Sequence, residues 1–130
     1  MIGDALLDRD VEGAVERLCP DAPVPVVDQS ATVARPGGAG LAAALAAAEG
    51  REVTLVTALA PDAAGEELRA ALGRCGVEVV DLGLEGETIE KVRIRAGGRS
   101  LLRVDRGAGG RVGAATAAAR AAIGWAETLL

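Results

Sequence analysis

The sequence has no histidine, no tyrosine and no phenylalanine, and Trp125 is its only aromatic residue. Without histidine it loses the commonest general base near neutral pH and the commonest metal ligand. Its two cysteines, Cys19 and Cys75, lack metal-ligand spacing, so no zinc site and no other resident metal is expected. Lysine is nearly missing too: Lys91 stands alone. The net charge is -5 and no basic stripe interleaved with aromatics occurs, which argues against nucleic acid as a partner. No apolar run approaches the ~18 residues of a membrane span, and no charged-then-apolar leader opens the chain. No membrane partner is expected, and the chain reads as cytoplasmic with both thiols reduced.

What is present is alanine, valine, leucine and glycine. Half of the 130 residues are apolar, enough for one domain with a closely packed, aromatic-poor core, and an α/β layering fits this composition. Met1 to Asp4 reads as the end of a strand. Pro20, Pro23 and Pro25 punctuate a weak alternation at Val24, Val26 and Val27, as in an edge or lid strand. A helix with Leu41, Ala44, Leu45 and Ala48 as its inner face is expected to stop at Gly50. Val53 to Leu59 is a buried strand. Asp62 then caps a helix with Ala64, Leu68, Ala71, Leu72 and Cys75 inward and Gly76 as its stop, so Cys75 reads as a buried structural thiol.

Val77 to Leu82 repeats the buried strand, which makes a parallel, doubly wound order. Ile89 to Ile94 and Leu101 to Val104 alternate around Ala96-Gly97-Gly98 as a hairpin with one solvated face. Ala114 to Leu130 reads as an amphipathic helix through Ala119, Ala122, Ile123, Ala126 and Leu130. Because a helix in a parallel α/β protein normally leads into another strand, ending there is expected to reflect truncation.

The segment Arg35-Pro36-Gly37-Gly38-Ala39-Gly40-Leu41-Ala42 carries the strongest hint of function. Adjacent glycines before a helix let backbone approach a ligand and leave N–H groups facing it. They can equally relieve crowding where a helix crosses a sheet. Gly38 to Ala43 also satisfies a Gly-x-Gly-x-x-Ala dinucleotide fingerprint, although Ala34-Arg35-Pro36 is a poor end for the buried strand that fingerprint needs.

Four stretches together resemble the ribokinase-like (PfkB) carbohydrate kinases, most closely the D-glycero-heptose 7-phosphate kinase branch. They are Gly3-Asp4-Ala5-Leu6-Leu7-Asp8, then Arg17 to Val26 with its prolines, then Arg35-Pro36-Gly37-Gly38-Ala39. The last combines Asp62-Ala63-Ala64-Gly65 with Thr88, Lys91 and Arg93 and with Leu101-Leu102-Arg103-Val104-Asp105. The resemblance implies the amino-terminal portion of a three-layer α/β/α fold with a small β lid. Lid strands would lie at about 15–35 and 88–105 and the body at about 36–84 and 114–130. It implies ATP-dependent phosphorylation of a sugar or sugar phosphate, with ATP and magnesium used by the intact family.

On this resemblance Asp8 accepts sugar hydroxyls, Gly37 and Gly38 let the sugar lie against backbone, and Lys91, Arg93 and Arg103 face an anionic substrate phosphate. From spacing alone, those three cations also suit an ordinary solvated strand edge. The departures are specific. Leu41 stands where the family has a sugar-binding asparagine, and Cys19, Gly98 and Arg99 replace polar lid positions of the heptose branch. The family's Gly-Ala-Gly-Asp motif, with its anion hole and catalytic base, is missing. Gly107-Ala108-Gly109-Gly110 lacks the aspartate and reads as a linker. No catalytic residue is therefore assigned, and neither ATP nor magnesium is expected to bind well. Two other readings stay open: a non-catalytic binding or dimerisation module that pairs through its lid strands, and a dinucleotide-binding enzyme.

Overall fold

A computed structural model describes residues 1–107 and 110–126. The chain opens with β1 (Ala5–Leu18) and β2 (Pro25–Gly38), which pair antiparallel with Ala5 opposite Gly38 and Leu18 opposite Pro25. Helix α1 (Ala39–Ala48) follows without a break. Then come β3 (Val53–Thr57), α2 (Ala63–Arg74) and β4 (Val77–Asp81), with β3 and β4 parallel. The second half holds β5 (Leu84–Glu85), β6 (Glu90–Ala96), β7 (Arg99–Arg106), β8 (Arg111–Val112) and α3 (Ala117–Trp125).

Residues 1–4 extend the parallel layer: Ile2 bridges Val56, and Val56 N donates to Met1 O at 2.9 Å. The polypeptide then leaves that layer and becomes β1 of a separate four-stranded sheet ordered β2-β1-β6-β7. In this sheet β1 and β6 are parallel and the outer pairs antiparallel. Gly97 and Gly98 turn β6 into β7 with φ of 56° and 74°, the two positive values that a two-residue hairpin of matching twist requires. The first strand is therefore longer than expected, because residues from Ala5 onward already belong to this sheet.

The core lies between the two layers. Ala5 and Leu7 pack with Ala43 of α1, Leu55 within β3 and Leu59 just after it, and Leu68 and Leu72 of α2. Among the described residues these leucines are at most 2% exposed, which is the burial that makes the α/β layering stable. Helix α1 enters this core by a different face from the one expected. Gly40 and Ala43 are buried, whereas Leu41 and Leu45 are 42% and 60% exposed. A Cβ on Gly40 would lie 3.2 Å from Pro36 Cβ and 3.4 Å from Ala5 Cβ, so only small residues fit the crossing.

Two other expectations are corrected. Cys75 is exposed, because α2 ends at Arg74 and the thiol sits at the C-cap and not on the inward stripe. Helix α3 starts at Ala117 with Thr116 as its cap, and only Ala119 of its expected face is buried, with Ile123 41% exposed. Leu130 and its three predecessors lie outside the described residues.

Two carboxylates tie the loops at the carboxyl ends of the strands. Asp62 caps α2 by accepting from Gly65 N at 2.7 Å and also accepts from Thr88 N at 2.8 Å. Asp81 accepts from Leu59 N and Gly83 N at 2.9 and 2.8 Å and pairs with Arg69. Burial works to raise both carboxyls, but the donated hydrogen bonds outweigh it and hold both below the ordinary value. Among the described residues no helix is long and apolar enough to cross a membrane.

Candidate functional site

Alternation along a strand sorts the charged residues of the four-stranded sheet onto two faces. One face carries Asp8, Asp10 and Glu12 of β1, and the register sets Lys91, Arg93 and Arg95 of β6 beside them in that order. Arg35 of β2 stands opposite Asp8, while Asp105 and Arg103 of β7 stand opposite Lys91 and Arg93. The other face carries Arg9, Glu90 and Arg106, turned toward α2.

The first face is where the residues expected to hold substrate meet. Arg93 Nη1 donates to Asp8 Oδ1 at 2.5 Å, with the two side chains 31% and 15% exposed. That bond holds the Arg93 guanidinium above its ordinary pKa. Asp8 is thereby fixed in orientation while its second oxygen reaches over the backbone of Gly37. A Cβ at residue 37 would come within 2.5 Å of Asp8 Oδ2 and of Leu6 Cδ1, so glycine is required for the carboxylate to lie there.

Gly38 has a separate reason to be glycine. Its φ of 59° is strained for any side chain, and a Cβ would lie 2.5 Å from Asp4 O. This conformation starts α1 directly at the sheet edge, with Ala39 N donating to Asp4 O at 2.9 Å and no side chain capping the first turn. The glycine run thus divides. Gly40 relieves crowding, Gly38 makes the turn, and Gly37 admits the Asp8 carboxylate. Leu41, on the first turn of α1, brings no polar atom to this edge.

The cations differ in availability. Arg103 is forked onto Asp105 at 2.9 Å through both Nε and Nη2, with the pair about half exposed at 55% and 48%. Arg35 is held by Asp10 at 2.6 Å. Lys91, in register with Asp8 on one side and Asp105 on the other, has no carboxylate within 4.0 Å among the described residues. Of the three cations expected to face a phosphate, Lys91 alone is unengaged by a carboxylate.

Sequence reasoning missed Arg35, Asp10 and Arg95 on this face and the whole network on the other. There, Arg9 donates to Glu90 at 2.5 Å and to Glu67 of α2 at 2.6 Å, and Arg106 donates to Glu90 at 3.1 Å. These contacts hold the Arg9 guanidinium above its ordinary pKa, Glu67 contributing most. A cleft of about 430 Å³ lined by Arg9, Asp62, Glu67, Glu87 and Arg106 opens on this side, away from Asp8. The usable signal was period two: Arg9 and Glu90 fall opposite in parity to Asp8 and Lys91.

Among the described residues there is no group of three or more His, Cys, Asp or Glu side chains placed to hold a metal ion. Gly107 makes a turn with φ of 74° against the Thr88 carbonyl, where a Cβ would lie 2.4 Å away. Ala108 and Gly109 of the expected linker lie outside the described residues. The dinucleotide fingerprint has the wrong context, since the strand before it is β2, antiparallel in the four-stranded sheet.

Comparison with known proteins shows the family and the fold. The profile described as pfkB family carbohydrate kinase matches residues 1–118. The Bifunctional protein HldE of Streptomyces coelicolor is 52% identical over 130 residues, which are 100% of this chain and 28% of that protein. The chain therefore spans under a third of that relative. Among solved structures, a carbohydrate kinase from Agrobacterium tumefaciens superposes with a TM-score of 0.65 at 24% identity, over 81% of this chain and 34% of that one. Phosphofructokinase-2 from Escherichia coli in complex with fructose-6-phosphate gives 0.58 at 24% identity, over 76% and 31%. These two likenesses establish the ribokinase-like fold.

Proposed function

The chain belongs to the pfkB family of carbohydrate kinases, and on that premise we propose that it is the sugar-holding portion of an ATP-dependent sugar-phosphate kinase. The observation that carries this reading is the Asp8 carboxylate, oriented by Arg93 and seated on Gly37. An ionised carboxylate accepts hydrogen bonds from two adjacent hydroxyls, and the ion pair with Arg93 fixes its direction. Gly37 and Gly38 supply a floor without side chains, so a sugar ring can lie against backbone. Lys91 beside Asp8 supplies the cation for a substrate phosphate, while Arg93 orients Asp8 and Arg103 stands at the rim. The phosphofructokinase-2 structure named above holds a phosphorylated sugar, which supports a phosphorylated substrate here.

No described side chain is placed as the base that would take the proton from the accepting hydroxyl. On this reading the described residues bind and orient the sugar, and none of them supplies the base that phosphoryl transfer needs. Isothermal titration with fructose 6-phosphate tests the binding step. Wild type is expected to bind and Asp8→Asn to lose at least about tenfold in affinity, as follows from removing a charged acceptor. Equal binding by both would overturn the assignment. Robust ATP-dependent phosphorylation by this chain alone would overturn this restriction to binding.

A second reading is favoured by β7. All eight of its residues are exposed, including Leu101, Leu102 and Val104, and among the described residues no strand pairs with its outer edge. Such an edge suits a homodimer formed through the lid strands, with Arg99, Arg103 and Arg106 limiting less specific pairing. Sedimentation at several concentrations decides it, a strict monomer ruling the dimer out.

A further inference from the structure

Two acids and two arginines on the Asp8 face of the four-stranded sheet are paired crosswise. In the register Arg35 of β2 stands directly opposite Asp8, and Arg93 of β6 stands beside Asp10. Each guanidinium nevertheless reaches the other acid. Arg93 Nη1 donates to Asp8 Oδ1 at 2.5 Å, and Arg35 Nη1 donates to Asp10 Oδ2 at 2.6 Å. Side chains directly opposite on one face of an antiparallel pair lie about 5 Å apart at Cβ, and diagonal ones about 7 Å. Arg35 therefore passes over the nearer carboxylate for the farther one.

Asp10 is the stronger attractor of the two. Its side chain is 7% exposed, and its Oδ1 is buried with no hydrogen-bond partner. A buried carboxylate with an oxygen to spare holds a cation firmly, because water no longer competes for it. Asp8 is 15% exposed and has already given Oδ1 to Arg93. Arg95 does not displace Arg35 from Asp10, since it lies 3.6 Å from Oδ2 and closer, at 3.3 Å, to Glu12. Arg35 is 44% exposed and among the described residues has no other carboxylate partner. If Asp10 lets go, the nearest carboxylate to Arg35 is Asp8.

Resting on the reading of Asp8 as the acceptor of sugar hydroxyls, we propose that Asp10 is a positioning residue: it holds Arg35 off Asp8 and so keeps Asp8 Oδ2 open. Asp10 itself makes no contact with the sugar. With Asp10 neutral, Arg35 closes on Asp8 and takes the oxygen that a hydroxyl would use. An arginine–carboxylate bond is charge-assisted, so a neutral hydroxyl displaces it only with a loss of affinity.

The test is isothermal titration of the full chain with fructose 6-phosphate across a double-mutant cycle. Asp10→Asn keeps the shape and removes the charge, and should weaken binding at least about tenfold, the value of one charge-assisted hydrogen bond that must first be broken. Arg35→Met should weaken it less than about twofold, since Arg35 is spent on Asp10. The double variant should bind as tightly as Arg35→Met alone, because Asp10 has no task once Arg35 is gone. A merely structural role for Asp10 predicts the reverse, a double variant no tighter than Asp10→Asn. Should Asp10→Asn not fold by circular dichroism, Asp10→Thr, a neutral strand former, repeats the cycle. A further readout needs no variant: in wild type the Arg35 guanidinium NMR signal is expected to stay in place at saturating fructose 6-phosphate while that of Arg93 shifts. Failure of the double variant to recover binding, a loss in Arg35→Met as large as in Asp10→Asn, or an Arg35 signal that moves with Arg93 overturns the positioning role and leaves the Asp8 reading standing. Failure of wild type to bind, or equal binding by Asp8→Asn, overturns the Asp8 reading and this role with it.

Discussion

The Asp8 carboxylate fills the space that a side chain at Gly37 would occupy, 2.5 Å from where that Cβ would sit. Gly37→Ala therefore pushes directly on the group assigned to sugar binding and on Leu6 beneath it. The expected cost is about 1–3 kcal/mol of stability in a denaturant titration, as for other overpacked sites, together with loss of fructose 6-phosphate binding. Gly73→Ala is the matched control. It lies inside α2 with nothing within 4 Å of its added Cβ, so it should gain about 0.5–1 kcal/mol and leave binding alone. Equal effects of the two substitutions would detach Gly37 from Asp8.

That contact also marks how far the sequence could be read. Order and spacing of motifs carried the fold, since β3, α2 with its Asp62 cap, β4 and the β6–β7 hairpin all lie where turn residues and periodicity put them. What failed were strands and helices whose two faces look alike. From Asp8 to Asp10, β1 alternates acid, base, acid, with ion pairs on both faces of the sheet, so no apolar period of two marks it as a strand. In α1 nearly every residue is alanine, and the two leucines that suggested an inner face point outward because the Gly40 crossing leaves no room for them. Ion pairs between strands far apart in sequence, such as Arg9 with Glu90, have no local signature at all.

Acid stability should follow Asp62 and Asp81. Both carboxyls lie below 3.8 in the folded chain, so the folded state binds fewer protons than the unfolded one as pH falls toward that value. Their contribution is present above pH 3.8 and is lost as pH drops from there through the folded values. Melting temperature is expected to be flat above about pH 5 and to fall steeply below about pH 4, with no step near pH 6.5 because histidine is absent. Asp62→Ala should cost about 1 kcal/mol at neutral pH as a lost helix cap and should make the acid limb shallower. An acid limb unchanged in Asp62→Ala would show that the cap does not carry it.

The Arg9 network joins three strands of the four-stranded sheet to α2. Glu90 is 7% exposed at its side chain, and without Arg9 it keeps only Arg106, which is itself 63% exposed. Arg9→Met is therefore expected to cost about 2 kcal/mol, less than for a fully stranded buried charge because one partner remains. Glu67→Gln, at a 41% exposed position, should cost less than about 1 kcal/mol. Hydrogen exchange provides the finer check. Arg9→Met should accelerate exchange at the base of β1 and β6 while the amides of α2 stay protected, and uniform acceleration would mean the network merely adds global stability.

Lys91 and Arg103 carry the same charge on the same face yet are predicted to behave differently toward a phosphorylated sugar. Arg103 spends both arms of its guanidinium on Asp105, two residues along the same strand, and that exposed pair moves as a unit with no net charge to offer. Lys91 has no such partner among the described residues and stands next to Asp8 in the register. A phosphate brought in by a sugar seated on Asp8 therefore meets Lys91 as a free point charge. Lys91→Met is expected to weaken fructose 6-phosphate by about tenfold at low salt and to flatten the decline of affinity with added salt, since exposed charge attraction is screened. Arg103→Met should change affinity less than about twofold, and both variants should melt within about 0.5 kcal/mol of wild type as surface substitutions do. If Arg103→Met were the more damaging, Asp105 would have to release its guanidinium on binding, and the phosphate would belong at β7 and not at β6.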